Sequence, residues 1–124
     1  MKKIIHTNEA PTASKVYSQA VVSNGFIFVA GQIHATSEGE LIEGSTEEKL
    51  TQIMKNIKAI LKVANASLNN VVKLTLYVTD IGILSEINKI YPTYFTGDLP
   101  AREAVCVQAL PLGASIEISV IAEI

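Results

Sequence analysis

Cysteine is nearly absent from this sequence: Cys106 stands alone among 124 residues. One thiol closes no internal disulfide and has no partners for a thiolate metal site, which fits a reducing compartment. Long apolar runs are missing as well. The longest, Phe26 to Ala30, is far too short to cross a bilayer. The opening stretch Met1-Lys2-Lys3-Ile4-Ile5 starts basic but has no apolar region behind it, so no secretory signal is expected. Neither sign of charge dominates: ten Lys/Arg face twelve Asp/Glu, for a net charge of −2. Nucleic-acid binders usually carry a clustered basic patch, and the cations here are scattered. A cytoplasmic protein with neither membrane nor nucleic acid as partner is therefore expected. Dinucleotide, P-loop, zinc-peptidase and serine-hydrolase signatures are all missing. His6 and His34 are far apart, lack ligand spacing and read as surface or loop histidines.

What is present is a well-patterned chain. Hydrophobic residues make up 48% of it, enough to bury a core, and no repeat or linker interrupts it, so one domain over residues 1–124 is expected. Tyr17–Val22 and Phe26–Gln32 read as strands joined at Ser23-Asn24-Gly25, because Asn-Gly tolerates the positive φ of a tight hairpin. Glu38-Gly39-Glu40 marks another turn. Ser45–Ala64 reads as a helix: Ser45 and Glu48 have capping-box spacing, and Leu50, Ile53, Met54, Ile57, Leu61 and Ala64 line one face. The helix is expected to fray at Asn65-Ala66-Ser67. Val71–Thr79 alternates, with Val72, Leu74, Leu76 and Val78 on one face. Ile83–Phe95 reads as a second helix that kinks or ends early at Pro92. Arg102–Ala109 and Ser115–Ile124 are the last strands, with Ile116, Ile118, Val120, Ala122 and Ile124 inward. The order implies an α+β fold, a mixed sheet with two helices on one face. The other face carries Thr75, Tyr77, Glu117 and Ser119, and is either solvated or covered by another subunit.

Three polar residues could carry chemistry. Arg102 opens a strand, and its planar fork suits a carboxylate; a structural ion pair is the plainer alternative. Glu117 interrupts an apolar strand. Desolvation there would raise its pKa and suit acid–base work, whereas on a rim or interface it would only face water or a partner. Tyr17 is either a hairpin packing residue or a ligand contact. Cys106, on a strand, reads as a small buried hydrophobe.

In order, several segments resemble one family from end to end: Ala10-Pro11 with Tyr17-Ser18-Gln19-Ala20; Ala30-Gly31-Gln32-Ile33; Asn56-Ile57-Lys58-Ala59-Ile60-Leu61; Ile87-Asn88 with Tyr91 and Phe95; Pro100-Ala101-Arg102; and Ile116-Glu117-Ile118. The chain is similar to the reactive-intermediate deaminases (Rid, YjgF-like). That resemblance implies a chorismate-mutase-like subunit of the bacillus type, in a homotrimer with intersubunit clefts. It implies hydrolysis of 2-imino acids and their enamines, such as 2-iminobutanoate and 2-iminopropanoate, to 2-keto acids and ammonia, without cofactor or metal. Arg102 would hold the substrate carboxylate and Glu117 would handle a water or proton. Tyr17, Gly31, Asn88 and Ala104 would line the site. The sequence departs from the family pattern at Ala30, His34, Glu103, Pro92 and the loop Ala109–Gly113, and Ala104 stands where the family has a cysteine. Such departures leave room for two other functions: a 2-keto acid or amino-acid-like binder without turnover, or RNA cleavage with inhibition of translation. An iminium carbon is already electrophilic, so fixing the carboxylate and delivering water would suffice for deamination.

Overall fold

In a computed structural model that describes residues 1–13 and 15–124, six strands form one sheet in the order β1-β2-β3-β6-β4-β5. The strands are β1 (Lys3–Ile5), β2 (Ala20–Ser23), β3 (Phe26–Ile33), β4 (Val71–Val78), β5 (Ala101–Cys106) and β6 (Ile116–Glu123). Each neighbouring pair is antiparallel except β4 and β5. Strands β3 and β4 both run against β6, hence parallel to each other, and parallel strands need a long crossover. The helices α1 (Thr46–Val63) and α2 (Leu84–Ile90) supply the two crossovers.

Helix α1 starts as its sequence dictates. Glu48 N–H donates to Ser45 Oγ (3.1 Å) and Ser45 N–H to Glu48 Oε1 (3.1 Å). Leu50, Ile53, Met54, Ile57 and Leu61 are fully buried, joined by Ile60, while Ala64 is only partly covered. Burying these large side chains contributes on the order of 10 kcal/mol before entropy is subtracted. Lys55, Lys58 and Lys62 face solvent. The C-terminus does not fray. Asn65 takes φ 57°, Asn65 N–H donates to the Lys62 carbonyl, and Ala66 N–H donates to the Leu61 carbonyl (both 3.0 Å). This closed Schellman turn satisfies carbonyls that fraying would leave to water.

The second helix ends early, as Pro92 requires. Regular α-helix stops at Ile90, and Tyr91–Tyr94 continue as a tighter 3-10 turn. The Asn24-Gly25 hairpin is also present, with φ of 56° and 84°.

Other expectations shift. Strand β2 begins at Ala20, so Tyr17 lies ahead of it. Gln19 explains the boundary: its amide is buried and committed to the preceding loop, accepting from Thr7 N–H (2.8 Å) and donating to the carbonyls of Thr7 (3.0 Å) and Pro11 (2.9 Å). Val72 points outward, because a bulge between Val71 and Lys73 puts Val71 into the core in its place. Strand β5 stops at Cys106, which is exposed, not buried: edge strand β5 has one unpaired side and no layer over its last residue. Ile124 lies past the end of β6 and is exposed. Strand β1 extends the sheet beyond β2; three residues are too few to show alternation in a sequence.

His34 is the largest departure. It is fully buried, not on the surface. Nδ1 lies 2.8 Å from the Ile42 carbonyl, and Ser115 N–H donates to Nε2 (3.0 Å). The ring is therefore neutral with its proton on Nδ1, and it ties the 34–42 loop to the start of β6. Burial pushes its pKa below the usual histidine value of 6.5, with Lys49 adding to the depression. A folded pKa below the unfolded one makes a contribution that is complete above about pH 6.5 and is lost as the pH falls below it. Urea midpoints measured from pH 5 to 8 should fall on the acid side. In His34→Gln, which keeps a donor and an acceptor but does not titrate, that part of the slope should vanish.

Candidate functional site

The pleat divides the expected site residues into two groups. Arg102 pairs with Leu74 of β4, and Leu74 is buried under the helices. Glu117 pairs with Tyr77, three residues further along β4 and therefore on the opposite face. Two strand spacings and three residues also put their Cα atoms about 14 Å apart. Within one chain, these two residues cannot close on one small molecule.

The first group sits on the helix side at the β5 edge. Arg102 Nη1 donates to Asn88 Oδ1 (2.8 Å), and the guanidinium carbon lies 5.1 Å from the centre of the Tyr91 ring. Ala104, two residues on, shares this face, next to Leu76. Glu103 points the other way and pairs with Lys73 (2.6 Å), which holds its carboxyl below the usual range. It therefore does not compete for Arg102.

The second group lies on the open face. The Glu117 carboxylate sits directly over Gly31: a Cβ built there would meet its Oε2 in a clash and its Cδ at 2.9 Å. The absence of a side chain at Gly31 thus makes room for the Glu117 carboxylate and answers no demand of backbone conformation. Desolvation alone pushes the Glu117 carboxyl above its ordinary value, and among the described residues no hydrogen bond or ion pair offsets it. A cleft of about 270 Å³ adjoins, lined by Pro11, Tyr17, Gly31, Ile33, Pro111 and Leu112 among others. Tyr17 is half exposed at its mouth, on the segment that Gln19 ties down. The remaining wall comes from the 34–42 and 111–115 loops that His34 joins.

A half-buried carboxylate beside an apolar cleft, its pKa raised by desolvation, is suited to proton transfer. A stacked guanidinium at a sheet edge can hold a carboxylate. Among the described residues, no group of three or more His, Cys, Asp or Glu is placed to hold a metal ion.

The family model described as Endoribonuclease L-PSP matches residues 7–124. The chain belongs to this family, the Rid (YjgF-like) proteins. A 2-iminobutanoate/2-iminopropanoate deaminase of Rattus norvegicus is 46% identical, over 98% of this chain and 90% of the relative. A RutC family protein of Pyrococcus abyssi is 45% identical, over 98% of this chain and 96% of its own. The solved structure of a Rid-family protein from Yersinia pestis superposes with a TM-score of 0.95 at 42% identity, covering the whole of both chains. The six-stranded sheet with two helices is thus the architecture of its Rid-family neighbours. No helix among the described residues is long and apolar enough to cross a membrane.

The sequence offered Gln19, Asn56 and Tyr91 as matches to the family pattern and gave none of them a role. Asn56 is fully buried in α1 and donates to the Ala35 carbonyl (2.9 Å), holding the end of the cleft strand. An asparagine on the edge of an apolar helical stripe was the available signal. The Gly31 contact makes a specific prediction. Gly31→Ala should fold with a thermal midpoint within a few degrees of wild type, because the cheapest relief is rotation of the Glu117 side chain. The carboxyl, turned toward water, should then titrate closer to the ordinary glutamate value. Carbon NMR of the Glu117 carboxyl against pH is the check.

Proposed function

We propose that this chain hydrolyses reactive 2-imino acids and their enamine tautomers to 2-keto acids and ammonia. Residues 1–124 would act as one chorismate-mutase-like domain of a cytoplasmic homotrimer. The observation that carries the reading is the split itself: a carboxylate anchor at one edge and a desolvated acid–base group on the opposite face, each incomplete alone. A second copy bringing its Arg102 edge to the Glu117 cleft would complete the site.

The surface supports this. The open face carries Ile4, Val21, Phe28 and Ile121 in one cross-strand row, and Ile4 and Phe28 are about half exposed. An apolar row across a sheet centre is unfavourable in water and typical of a covered interface.

The chemistry asks little of the protein. Arg102 fixes the substrate carboxylate, and Tyr17 and Gly31 bound the space around the reacting carbon. Water adds to that carbon while the C=N electron pair moves to nitrogen. Glu117 takes a proton from the water and returns it to the nitrogen. The carbinolamine then expels ammonia and forms the keto group. The raised pKa of Glu117 suits both directions of transfer. Ala104 leaves its backbone N–H but no thiol, so no covalent step through that position is part of the mechanism.

RNA cleavage, which the family description names, has less support: with twelve acidic and ten basic residues there is no excess of cations for a phosphate backbone.

Two experiments test the proposal. Added to a threonine dehydratase reaction, the protein should speed decay of the imine. Arg102→Ala should lose about 2–5 kcal/mol of transition-state binding, or roughly thirty- to several-thousand-fold in kcat/KM. Glu117→Gln should lower turnover while 2-oxobutanoate binding persists. Unchanged imine decay would leave only a binder. Light scattering at micromolar concentration should give a mass near three times the 13.3 kDa chain. A monomer would remove the intersubunit site.

A further inference from the structure

Tyr91 lies beside Arg102 in the site but has been given no task of its own. It is 6% exposed, packs edge-on against Phe95 with ring centres 5.3 Å apart, and by its place in the fold is a core residue. Two features set it apart. Its hydroxyl is fully buried, with no hydrogen-bond partner among the described residues, so the hydroxyl gives no account of why a tyrosine is here. Its ring lies 5.1 Å below the Arg102 guanidinium, and Asn88, three residues earlier on the same side of α2, accepts from Nη1.

We infer that Tyr91 and Asn88 together form a positioning clamp for Arg102, with the Tyr91 ring as its platform. Arginine has several rotatable bonds, and a free guanidinium at a sheet edge would have to be ordered each time a ligand bound. The ring face attracts the cation and sets the plane of the fork. The Asn88 contact sets its rotation within that plane. Five N–H donors are available and Asn88 uses one, so enough remain for a two-point carboxylate contact. The clamp also gives Asn88 a role different from direct substrate contact: its side-chain oxygen is already occupied by Arg102. Both residues come from α2 and the turn after it, so Pro92, by ending the regular helix at Ile90, shapes the segment that presents the platform.

This inference rests on the reading of Arg102 as carboxylate anchor, and the test separates the two. Calorimetry with 2-oxobutanoate and steady-state imine turnover are measured on wild type, Arg102→Ala, Asn88→Ala, Tyr91→Phe and Tyr91→Leu. Tyr91→Phe keeps the ring, so Kd and KM should stay within about twofold. Tyr91→Leu removes the platform and should raise both by about 2- to 30-fold, with kcat nearly unchanged. A merely structural role would instead lower the thermal midpoint without that split. Should Tyr91→Leu fail to fold, Tyr91→Met fills the space better and carries the same expectation. Asn88→Ala, on the exposed side of α2, should raise Kd in the same direction. If Arg102→Ala loses binding while Tyr91→Leu and Tyr91→Met bind like wild type, the clamp is refuted and the anchor stands. Equal damage from Tyr91→Phe and Tyr91→Leu would assign the effect to the hydroxyl and refute the platform. If Arg102→Ala itself binds like wild type, both readings fall.

Discussion

Side chains alternate across a pleated strand, and that alternation places Arg102 under the helices and Glu117 on the open face. Neither can be moved to join the other without turning a strand inside out, which would expose Ile116 and Ile118 of β6 or turn the charged Glu103 of β5 toward the helices. The same rule sends Glu103 away from Arg102 to pair with Lys73. It also leaves Phe28 and Ile121 on the face opposite the core. A divided pair of chemical groups and a partly apolar open face are thus two consequences of one constraint, and the proposed second copy of the chain would resolve both.

The loops around the cleft are held by buried polar side chains rather than by apolar packing. Gln19 gathers the 7–11 segment, Asn56 holds the end of β3 through Ala35, and His34 joins Ile42 to Ser115. Each is satisfied, so burial is tolerated; removing one partner of such a contact typically costs about 1–3 kcal/mol. Directional bonds give irregular backbone one arrangement, which loose apolar contact does not. The Glu117 carboxylate is the exception. It stays partly desolvated and, among the described residues, unpartnered, which raises its pKa above the ordinary glutamate value.

Much of this architecture was readable from the sequence, for identifiable reasons. The Ser45–Ala64 helix has a cap, a stripe and a length that all agree. Asn24-Gly25 admits few turns, and Pro92 removes a donor wherever it sits. Long strands β4 and β6 show alternation over enough residues to expose it. What escaped depends on tertiary partners. The bulge at Val72 reverses one residue of a clear pattern because β6 demands a different register. His34 is indistinguishable from a loop histidine until Ile42 and Ser115 are brought to it from 8 and 81 residues away. Tyr91 was visible as a match to the family pattern, and its relation to Arg102 arises only from the β4–β5 crossover. The site residues themselves were carried by family resemblance more than by local pattern: taken alone, Arg102 and Tyr17 also fitted an ordinary ion pair and ordinary packing.

The proposed catalytic site is assembled from Arg102 of one chain and Glu117 of another. Complementation tests this directly. Arg102→Ala and Glu117→Gln are each expected to be nearly inactive as pure oligomers. Coexpressed with two different tags and purified through both, they form mixed oligomers in which some interfaces pair an intact Arg102 with an intact Glu117. A cyclic trimer that contains both variants has one intact site in its three, whichever chain is in excess, so imine turnover should return to about a third of wild type. Mixed oligomers of verified composition that remain as inactive as their parents would contradict the account.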